Sequence, residues 1–128
     1  MSFASKFNNR KFTTDTTGFG YIKLADLYKE YGSETVFQLL GVYINNRSKY
    51  GEEPICSATD RKGKGYYINL PKFLLSKVKD ILEDDEAIKD INAGLAGFTI
   101  RKYHNVTYDK DCYSIEFCDI DYDLPFIN

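Results

Sequence analysis

The segment ETVFQLLGVYINNRSKYGEEPICSATD (34–60) constrains the fold of this chain more than any other. It contains two runs rich in β-branched and aromatic residues, joined by NNRSKYGEEP (45–54), whose Asn, Ser, Gly and Pro residues favour turns. Two such runs around a turn predict a long β-hairpin. Gly41 interrupts the first run, and an isolated Gly within a strand typically marks a bulge or sharp bend, as small barrels need in order to close.

Patterns on both sides of the hairpin predict further strands and two helices. The predicted elements are a first strand at 19–27, the hairpin, a short strand at 66–70, helices at 71–84 and 85–94, and strands at 96–106 and 112–120. Apolar residues recur at helical spacing along one side of the first helix, namely Phe73, Leu74, Val78, Ile81 and Leu82. Lys77 is the one charged residue on that side.

This order of elements predicts a mainly β fold. One or two helices between the third or fourth strand and the last two predict a small five-stranded barrel, which is the layout of the oligonucleotide-binding (OB) fold. A doubly wound parallel sheet is disfavoured because no helix separates each strand from the next. With 128 residues we expect one core, within an OB-like domain at 19–120, preceded by a flexible arm (1–18) and followed by a short acidic extension (121–128).

Apolar runs and cysteines in the sequence indicate the cellular compartment. No apolar run approaches the ~20 residues that cross a bilayer, and the start of the chain lacks the apolar stretch of a signal peptide. The three cysteines are an odd number, which argues against a disulfide framework. These features predict a cytoplasmic protein without a membrane partner.

Charge and aromatic residues predict a surface for single-stranded nucleic acid. The net charge is −2, but residues 1–66 carry ten Lys and Arg against seven Asp and Glu, and eleven Tyr accompany them along the chain. Non-specific single-strand binders combine cations along the backbone path with rings on which bases stack. The candidate binding residues are Tyr43, Arg47, Lys49, Tyr50, Arg61, Lys62, Lys64, Tyr66, Tyr67, Arg101 and Tyr103. Arg101 and Tyr103 share a strand face by parity.

Catalytic chemistry has little support, so we expect a protein that is not an enzyme and has no cofactor or metal. The sole histidine, His104, lies at the end of a strand without a Ser or Cys partner at a suggestive spacing, and RKGKGYY (61–67) lacks the length and hydroxyl of a phosphate loop. One alternative is a Mg²⁺-dependent nuclease that uses Asp119, Asp121 and Asp123, because alternate strand residues share a face.

Four segments carry a resemblance: VYINNRSKYGEEP, YYINLPKFLLSKVKDIL, INAGLAGFTIRKY and CYSIEFCDI. Together they resemble small proteins encoded by phages and conjugative elements of Gram-positive bacteria, some of which are single-stranded-DNA-binding proteins with an OB fold. The resemblance implies a protein that coats single-stranded DNA, or RNA, during replication or transfer of a mobile element. It transfers no catalytic residue.

Both termini predict protein contacts. The ending DIDYDLPFIN (119–128) is similar to the acidic tip of bacterial single-stranded-DNA-binding proteins, which implies docking of replication or transfer proteins on Asp121, Asp123, Pro125 and Phe126. Ile127 and Asn128 follow the Phe, which departs from that tip. In the N-terminal arm, Phe3, Phe7 and Phe12 are candidates for contact with a neighbouring copy. A further alternative is a protein–protein regulator, such as a phage-encoded inhibitor, whose acidic residues at 83–90 and in the closing segment mimic nucleic acid.

Overall fold

The computed structural model describes residues 12–49 and 51–120, apart from the side chains of Arg47 and Ser48. The six strands are Gly20–Ile22 (β1), Phe37–Ser48 (β2), Gly51–Thr59 (β3), Gly65–Asn69 (β4), Ala96–Asn105 (β5) and Lys110–Asp119 (β6). The α-helices are Leu24–Tyr31 (α1), Leu75–Leu82 (α2) and Asp85–Asn92 (α3), and a 3-10 turn at Lys72–Leu74 precedes α2. Within these ranges every helix lacks the length and apolar character that crossing a membrane requires.

The strands form one curled sheet in the order β1-β4-β3-β2-β5-β6. β1 pairs with β4 in parallel, and all other neighbours are antiparallel. The prediction of a mainly β, barrel-like fold is confirmed at this level, since the sheet forms half a barrel. The predicted count of five strands is wrong: β1 adds a sixth strand beside β4, and among the described residues the edge strands β1 and β6 are not paired with each other.

The predicted hairpin is confirmed, but its turn is much shorter than expected. Pairing continues as far as Ser48 and Gly51, and Pro54 lies inside β3 opposite Ile44. Gly51 has a φ of +94°, which an L side chain rarely adopts and which permits the tight connection. The predicted irregularity at Gly41 is also present, because the register shifts between Leu39 and Gly41.

The prediction of a strand across 19–27 is wrong after Ile22. Leu24, Leu27, Tyr28 and Tyr31 recur at helical rather than strand spacing, so α1 can bury one continuous stripe. Leu24 and Leu27 are buried in the core, and both tyrosines pack against it. The helix ends at Gly32, whose φ is +76°.

The two helices after β4 are confirmed, with one correction. Leu74 and Val78 are buried as predicted, but Phe73 is 61% exposed. Phe73 lies in the 3-10 turn, which has three residues per turn instead of 3.6, so it does not continue the apolar stripe of α2. After α3, the expected glycine Gly94 has a φ of +79° and donates its amide to the carbonyl of Ile91.

One acidic residue of the predicted mimic surface has a structural role. Asp84 precedes α3, and its side chain accepts hydrogen bonds from the backbone amides of Glu86 and Ala87. This is the geometry of a helix N-cap, which satisfies donors that have no partner within the helix. The carboxylate of Asp84 is therefore explained by α3 itself.

The core lies between the sheet and the helices. Phe37 and Phe98 are fully buried and stack across β2 and β5 with ring centroids 5.4 Å apart, and Tyr31 of α1 meets Phe37 edge to face at 5.3 Å. These rings join the first half of β2 to the β5–β6 hairpin, where only two residue pairs connect the strands. Aromatic packing therefore stabilises a junction with few ladder hydrogen bonds.

The described part of the predicted arm packs on the sheet instead of extending from it. Phe12 is 7% exposed and belongs to the core. The amide of Thr13 donates to the side-chain oxygen of Asn92 at 3.0 Å. The prediction that Phe12 contacts a neighbouring copy is therefore replaced by a contact within its own chain, whereas Phe3 and Phe7 lie outside the described residues.

Candidate nucleic-acid interface

Strand pairing divides the predicted tyrosines between two faces of the sheet. Tyr66 pairs with Ala58, and both are buried on the core face. Tyr67 pairs with Ser57 on the opposite face, called here the tyrosine face. Because Tyr66 is only 5% exposed, the structure places its ring in the core, where a base has no surface to stack on.

The tyrosine face carries an aromatic cluster, defined as Phe12, Phe19, Tyr21, Tyr43 and Tyr67. Tyr67 is its centre: Tyr21 stacks on it at 5.3 Å, while Phe19 and Tyr43 meet it edge to face at 5.9 and 6.3 Å. Phe12 extends the cluster by contacting Tyr43 at 5.8 Å. The rings are thus largely engaged with one another.

The segment 12–19 contributes Phe12 and Phe19 to this cluster and packs over its tyrosines. Two glycines make the close approach possible, because a Cβ on Gly41 would lie 3.0 Å from the Phe12 ring and one on Gly65 only 2.1 Å from the Phe19 ring. The hydroxyls of Thr16 and Tyr67 are hydrogen-bonded, and the Tyr43 hydroxyl is 3.1 Å from that of Ser57. Tyr43 and Tyr67 are therefore half-buried members of a packed cluster.

The turn between β3 and β4, residues 60–64, is basic and is ordered by a buried carboxylate. Asp60 is 2% exposed and accepts hydrogen bonds from the amides of Lys62 and Lys64, both at 2.9 Å, and from the Tyr31 hydroxyl at 2.6 Å. Burial pushes the pKa of Asp60 up, but these donors outweigh it and hold the pKa below its ordinary value. Hydrogen bonding to Asp60 also raises the pKa of Tyr31.

The structure does not bring the two basic turns together. Arg61, Lys62 and Lys64 follow β3, whereas Lys49 precedes it; all four are exposed. The nine residues of β3 put roughly 30 Å between the turns at the usual rise per residue. The side chain of Arg47 and all of Tyr50 lie outside the described residues.

Arg101 and Tyr103 line one concavity, as their shared parity predicts. This concavity, called here the aromatic groove, has a volume of about 790 Å³ and lies between the start of the α2 region and the β5–β6 hairpin. Its lining includes Phe73, Lys77, Arg101, Tyr103, Ser114 and Glu116. Phe73 and Tyr103 are 61% and 39% exposed, so two rings are open to solvent in one groove.

One cation of the aromatic groove is paired with a carboxylate, and a buried serine lies beside it. Arg101 forms an ion pair with Glu116 at 3.3 Å, and both side chains are more than 60% exposed. Ser114, opposite Arg101 in the ladder, is buried. Desolvation raises the pKa of Tyr103, and its neighbour Cys112 raises it further, so this phenol stays neutral at physiological pH.

Sequence reasoning missed two residues of this groove. Phe73 matches the apolar stripe of α2, and its exposure arises from the 3-10 turn that the pattern does not reveal. Lys77 did leave a signal, because it is the charged residue on an otherwise apolar helix side. A cation at such a position is expected where the helix borders an opening instead of the core.

Metal and acid–base chemistry find little support among residues 12–49 and 51–120. No group of three His, Cys, Asp or Glu side chains in these ranges is arranged to hold a metal ion. His104 lies between two carboxylates, with its ring nitrogens 3.0 Å from Asp109 and 3.2 Å from Asp111. Asp119 is exposed at the end of β6. The other residues proposed for magnesium or partner docking, Asp121, Asp123, Pro125 and Phe126, lie outside the described residues.

Comparison with protein-family models, curated proteins and solved structures finds no match for this chain.

Proposed function

We propose that this protein binds single-stranded DNA without sequence specificity, through the aromatic groove. The observation that carries the proposal is the presence of two exposed rings, Phe73 and Tyr103, and two cations, Lys77 and Arg101, around one concavity. Rings accept the flat faces of unpaired bases, and cations replace the counterions of the phosphates. Arg101 and Tyr103 are the predicted binding residues that line this groove, and Phe73 supplies the ring that was expected from Tyr43 and Tyr67.

We also propose that the half-barrel is a variant of the OB fold. Strands β4-β3-β2-β5-β6 follow one another in the sheet, with helices inserted between β4 and β5. This is the connectivity expected of a partly open five-stranded OB barrel. β1 is then an additional strand, and the long, bulged β2 joins the two halves of the sheet. A role in coating single strands during replication or transfer of a mobile element has the sequence resemblance as its support.

The rings and cations of the aromatic groove set how much each should contribute to DNA binding. Each ring that stacks on a base contributes about 1–3 kcal/mol, so removal of one ring should weaken binding about tenfold. Two phosphates neutralised by Lys77 and Arg101 would contribute about −1.4 to the slope of log affinity against log salt. The Arg101–Glu116 ion pair reduces the attraction that Arg101 offers to a phosphate.

Fluorescence anisotropy of a labelled oligo-dT, titrated at several salt concentrations, tests the proposal. Tyr103→Ala and Phe73→Ala should each weaken binding about tenfold, and Lys77→Glu should weaken it and flatten the salt dependence. Tyr21→Ala and Lys89→Glu are matched controls, because they remove an exposed ring and reverse a helical charge outside the groove lining. Wild-type protein that does not bind at low salt, or groove variants that bind like the controls, would refute the proposal.

A further inference from the structure

The two edge strands of the sheet differ in length. β1 has three residues, whereas β6 has ten, and the ladder between β6 and β5 runs without a register shift. Residues 112–118 of β6 contain one charged residue, Glu116, and no proline. A long, regular edge strand without bulges, prolines or many charges is a template for pairing with another strand. The outer edge of β6 is called here the free edge.

The free edge presents the backbone groups of alternate residues. The amide of Ile120 donates to the carbonyl of Leu95 at 2.7 Å, so the backbone groups of Ile120 point toward the β5 side. Alternation along an antiparallel ladder then turns the amides and carbonyls of five residues of β6 outward, namely Asp111, Tyr113, Ile115, Phe117 and Asp119. Among residues 12–49 and 51–120, no backbone hydrogen bond from another element reaches these outward groups.

The sequence of β6 is nearly palindromic. DCYSIEFCD (111–119) has Ile115 at its centre, and residues at equal distances from Ile115 are alike. Tyr113 and Phe117 are two residues away on either side, and both pack against the core beside the buried Ile115. Cys112 and Cys118 are three residues away, and both are free thiols of intermediate exposure. Such symmetry within one strand suits pairing of that strand with a second copy of itself.

We propose that two copies of this chain form a dimer by antiparallel pairing of their free edges, with Ile115 opposite the partner's Ile115. In a twofold symmetric pair of identical antiparallel strands, residues at equal distances on opposite sides of the centre face each other. Cys112 is then opposite the partner's Cys118, and Tyr113 is opposite the partner's Phe117. Shifting the register one way puts Asp111 opposite the partner's Phe117. Shifting it the other way puts Tyr113 opposite the partner's Asp119.

Backbone and side chains both favour this register. The outward groups of the two strands supply about ten hydrogen bonds across the junction. The two pairs of Tyr113 with the partner's Phe117 are cross-strand aromatic pairs, which stabilise antiparallel sheets. The like-charge pair, Asp111 with the partner's Asp119, lies at the ends of the ladder. There the Asp111 carboxylate already has Lys102 Nζ at 3.4 Å and a ring nitrogen of His104 at 3.2 Å.

The dimer also brings the two aromatic grooves to one junction. A dyad that relates paired antiparallel edges is perpendicular to the sheet, so the same face of both copies lies on the same side. Ser114 and Glu116 line the aromatic groove, and in this register Ser114 is opposite the partner's Glu116. Both grooves therefore adjoin the dyad on one side of the joined sheet. The association goes beyond the proposed function and requires no nucleic acid.

Sedimentation velocity over a concentration series, without nucleic acid, tests the association. The weight-average sedimentation coefficient of the wild type should rise with concentration and level off at the value of a dimer, because a twofold contact is closed. Cys112→Lys combined with Cys118→Lys should raise the dissociation constant at least about tenfold, since like charges then face each other across the junction. Cys112→Lys combined with Cys118→Glu is the matched control. It should stay within about threefold of the wild type, because opposite charges then face each other.

Oxidation of the thiols tests the register. A non-hydrogen-bonded antiparallel pair such as Cys112 with the partner's Cys118 has Cα atoms about 4.5 Å apart, which a disulfide can span. Diamide, which takes up the two electrons and two protons released by each disulfide, should convert the wild type into a covalent dimer on a non-reducing gel. Cys56 is fully buried and does not interfere.

Mixing two single variants makes the oxidation test specific. Cys112→Ser alone and Cys118→Ser alone should each lose the covalent dimer, because the remaining thiol then faces a serine of the partner. An equimolar mixture of the two variants should restore it, because a mixed dimer again places one thiol opposite another. Each variant replaces one sulfur atom by oxygen, and circular dichroism identifies any variant, including the charged ones, that fails to fold.

Three results would overturn the proposal. One is a wild-type sedimentation coefficient that does not change with concentration. Another is cross-linking of either serine variant as efficient as that of the wild type, and the third is a mixture that cross-links no better than its components. Oligo-dT binding is assigned to Phe73, Lys77, Arg101 and Tyr103, which none of these substitutions changes, so the two proposals can fail separately.

Discussion

The aromatic cluster and the aromatic groove use the same kinds of side chain in opposite ways. In the cluster, Tyr43 and Tyr67 contact other rings and hydroxyls of their own chain beneath residues 12–19. In the groove, Phe73 and Tyr103 remain open beside Lys77 and Arg101. Tyrosine beside a basic residue therefore does not by itself identify a binding surface. What separates the two regions is whether another segment of the same chain covers the rings.

The largest expected effect comes from uncovering the cluster. Phe12→Ala removes a ring that is 7% exposed and packs above Gly41, so the free energy of unfolding should fall by about 3 kcal/mol. Phe73→Ala should change it by less than about 0.5 kcal/mol, because Phe73 is 61% exposed. Urea unfolding followed by circular dichroism measures both variants. Equal losses would show that cover is not what distinguishes the two regions.

The next effect concerns the carboxylate that orders the basic turn near the cluster. Asp60→Asn should lower the free energy of unfolding by about 2 kcal/mol at pH 7, because three hydrogen bonds lose a charged acceptor. The folded pKa of Asp60 is depressed, so its contribution is complete above the unfolded pKa of about 3.9 and is lost as the pH falls through the lower folded value. The difference in stability between wild type and variant should therefore shrink as the pH falls below about 4. Urea unfolding midpoints measured at each pH test this.

A suitable control for this experiment is Asp109→Asn. The side chain of Asp109 is 94% exposed, and its φ of +47° suits Asn as well as Asp, so the free energy of unfolding should not change measurably. A difference between wild type and Asp60→Asn that stays constant down to strongly acidic pH would contradict the depressed pKa.

The smallest expected effect comes from the Arg101–Glu116 ion pair in the aromatic groove. Glu116→Gln removes the carboxylate paired with Arg101 while leaving the exposed surface almost unchanged in shape. Stability should change by less than about 1 kcal/mol, as for other exposed ion pairs. Affinity for oligo-dT should rise about two- to threefold at low salt, because Arg101 no longer shares its charge with Glu116. Weaker binding by this variant would argue that Glu116 itself takes part in recognition.

Much of the fold could be predicted because its signals are local. The long hairpin, the helices after β4 and the last two strands follow from turn residues and from apolar periodicity. The predicted strand across 19–27 is wrong after Ile22, because the leucines and tyrosines of Leu24–Tyr31 fit a helical period better than the alternation that predicts a strand. Periodicity over so few residues cannot separate a strand from a helix.

The candidate site was less predictable because it depends on long-range contacts. The burial of Tyr66 follows from the register of β4 against β3, and the cover over Tyr43 follows from the docking of residues 12–19. Neither register nor docking leaves a mark in the local pattern. Arg101 and Tyr103 line the same groove, as parity along one strand predicts, because parity is a local property.

The parallel pairing of β1 with β4 has a consequence for the order in which the molecule assembles. Tyr21 and Tyr67 are adjacent in space but separated along the chain by α1 and the whole β2–β3 hairpin. Closing so long a loop costs more entropy than forming a hairpin, so β1 and residues 12–19 should dock after β2, β3 and β4 have formed. Until that docking occurs, during synthesis or transient opening, Tyr43 and Tyr67 are exposed to solvent. The surface most prone to non-specific contact is therefore covered only when residues 12–19 dock on it.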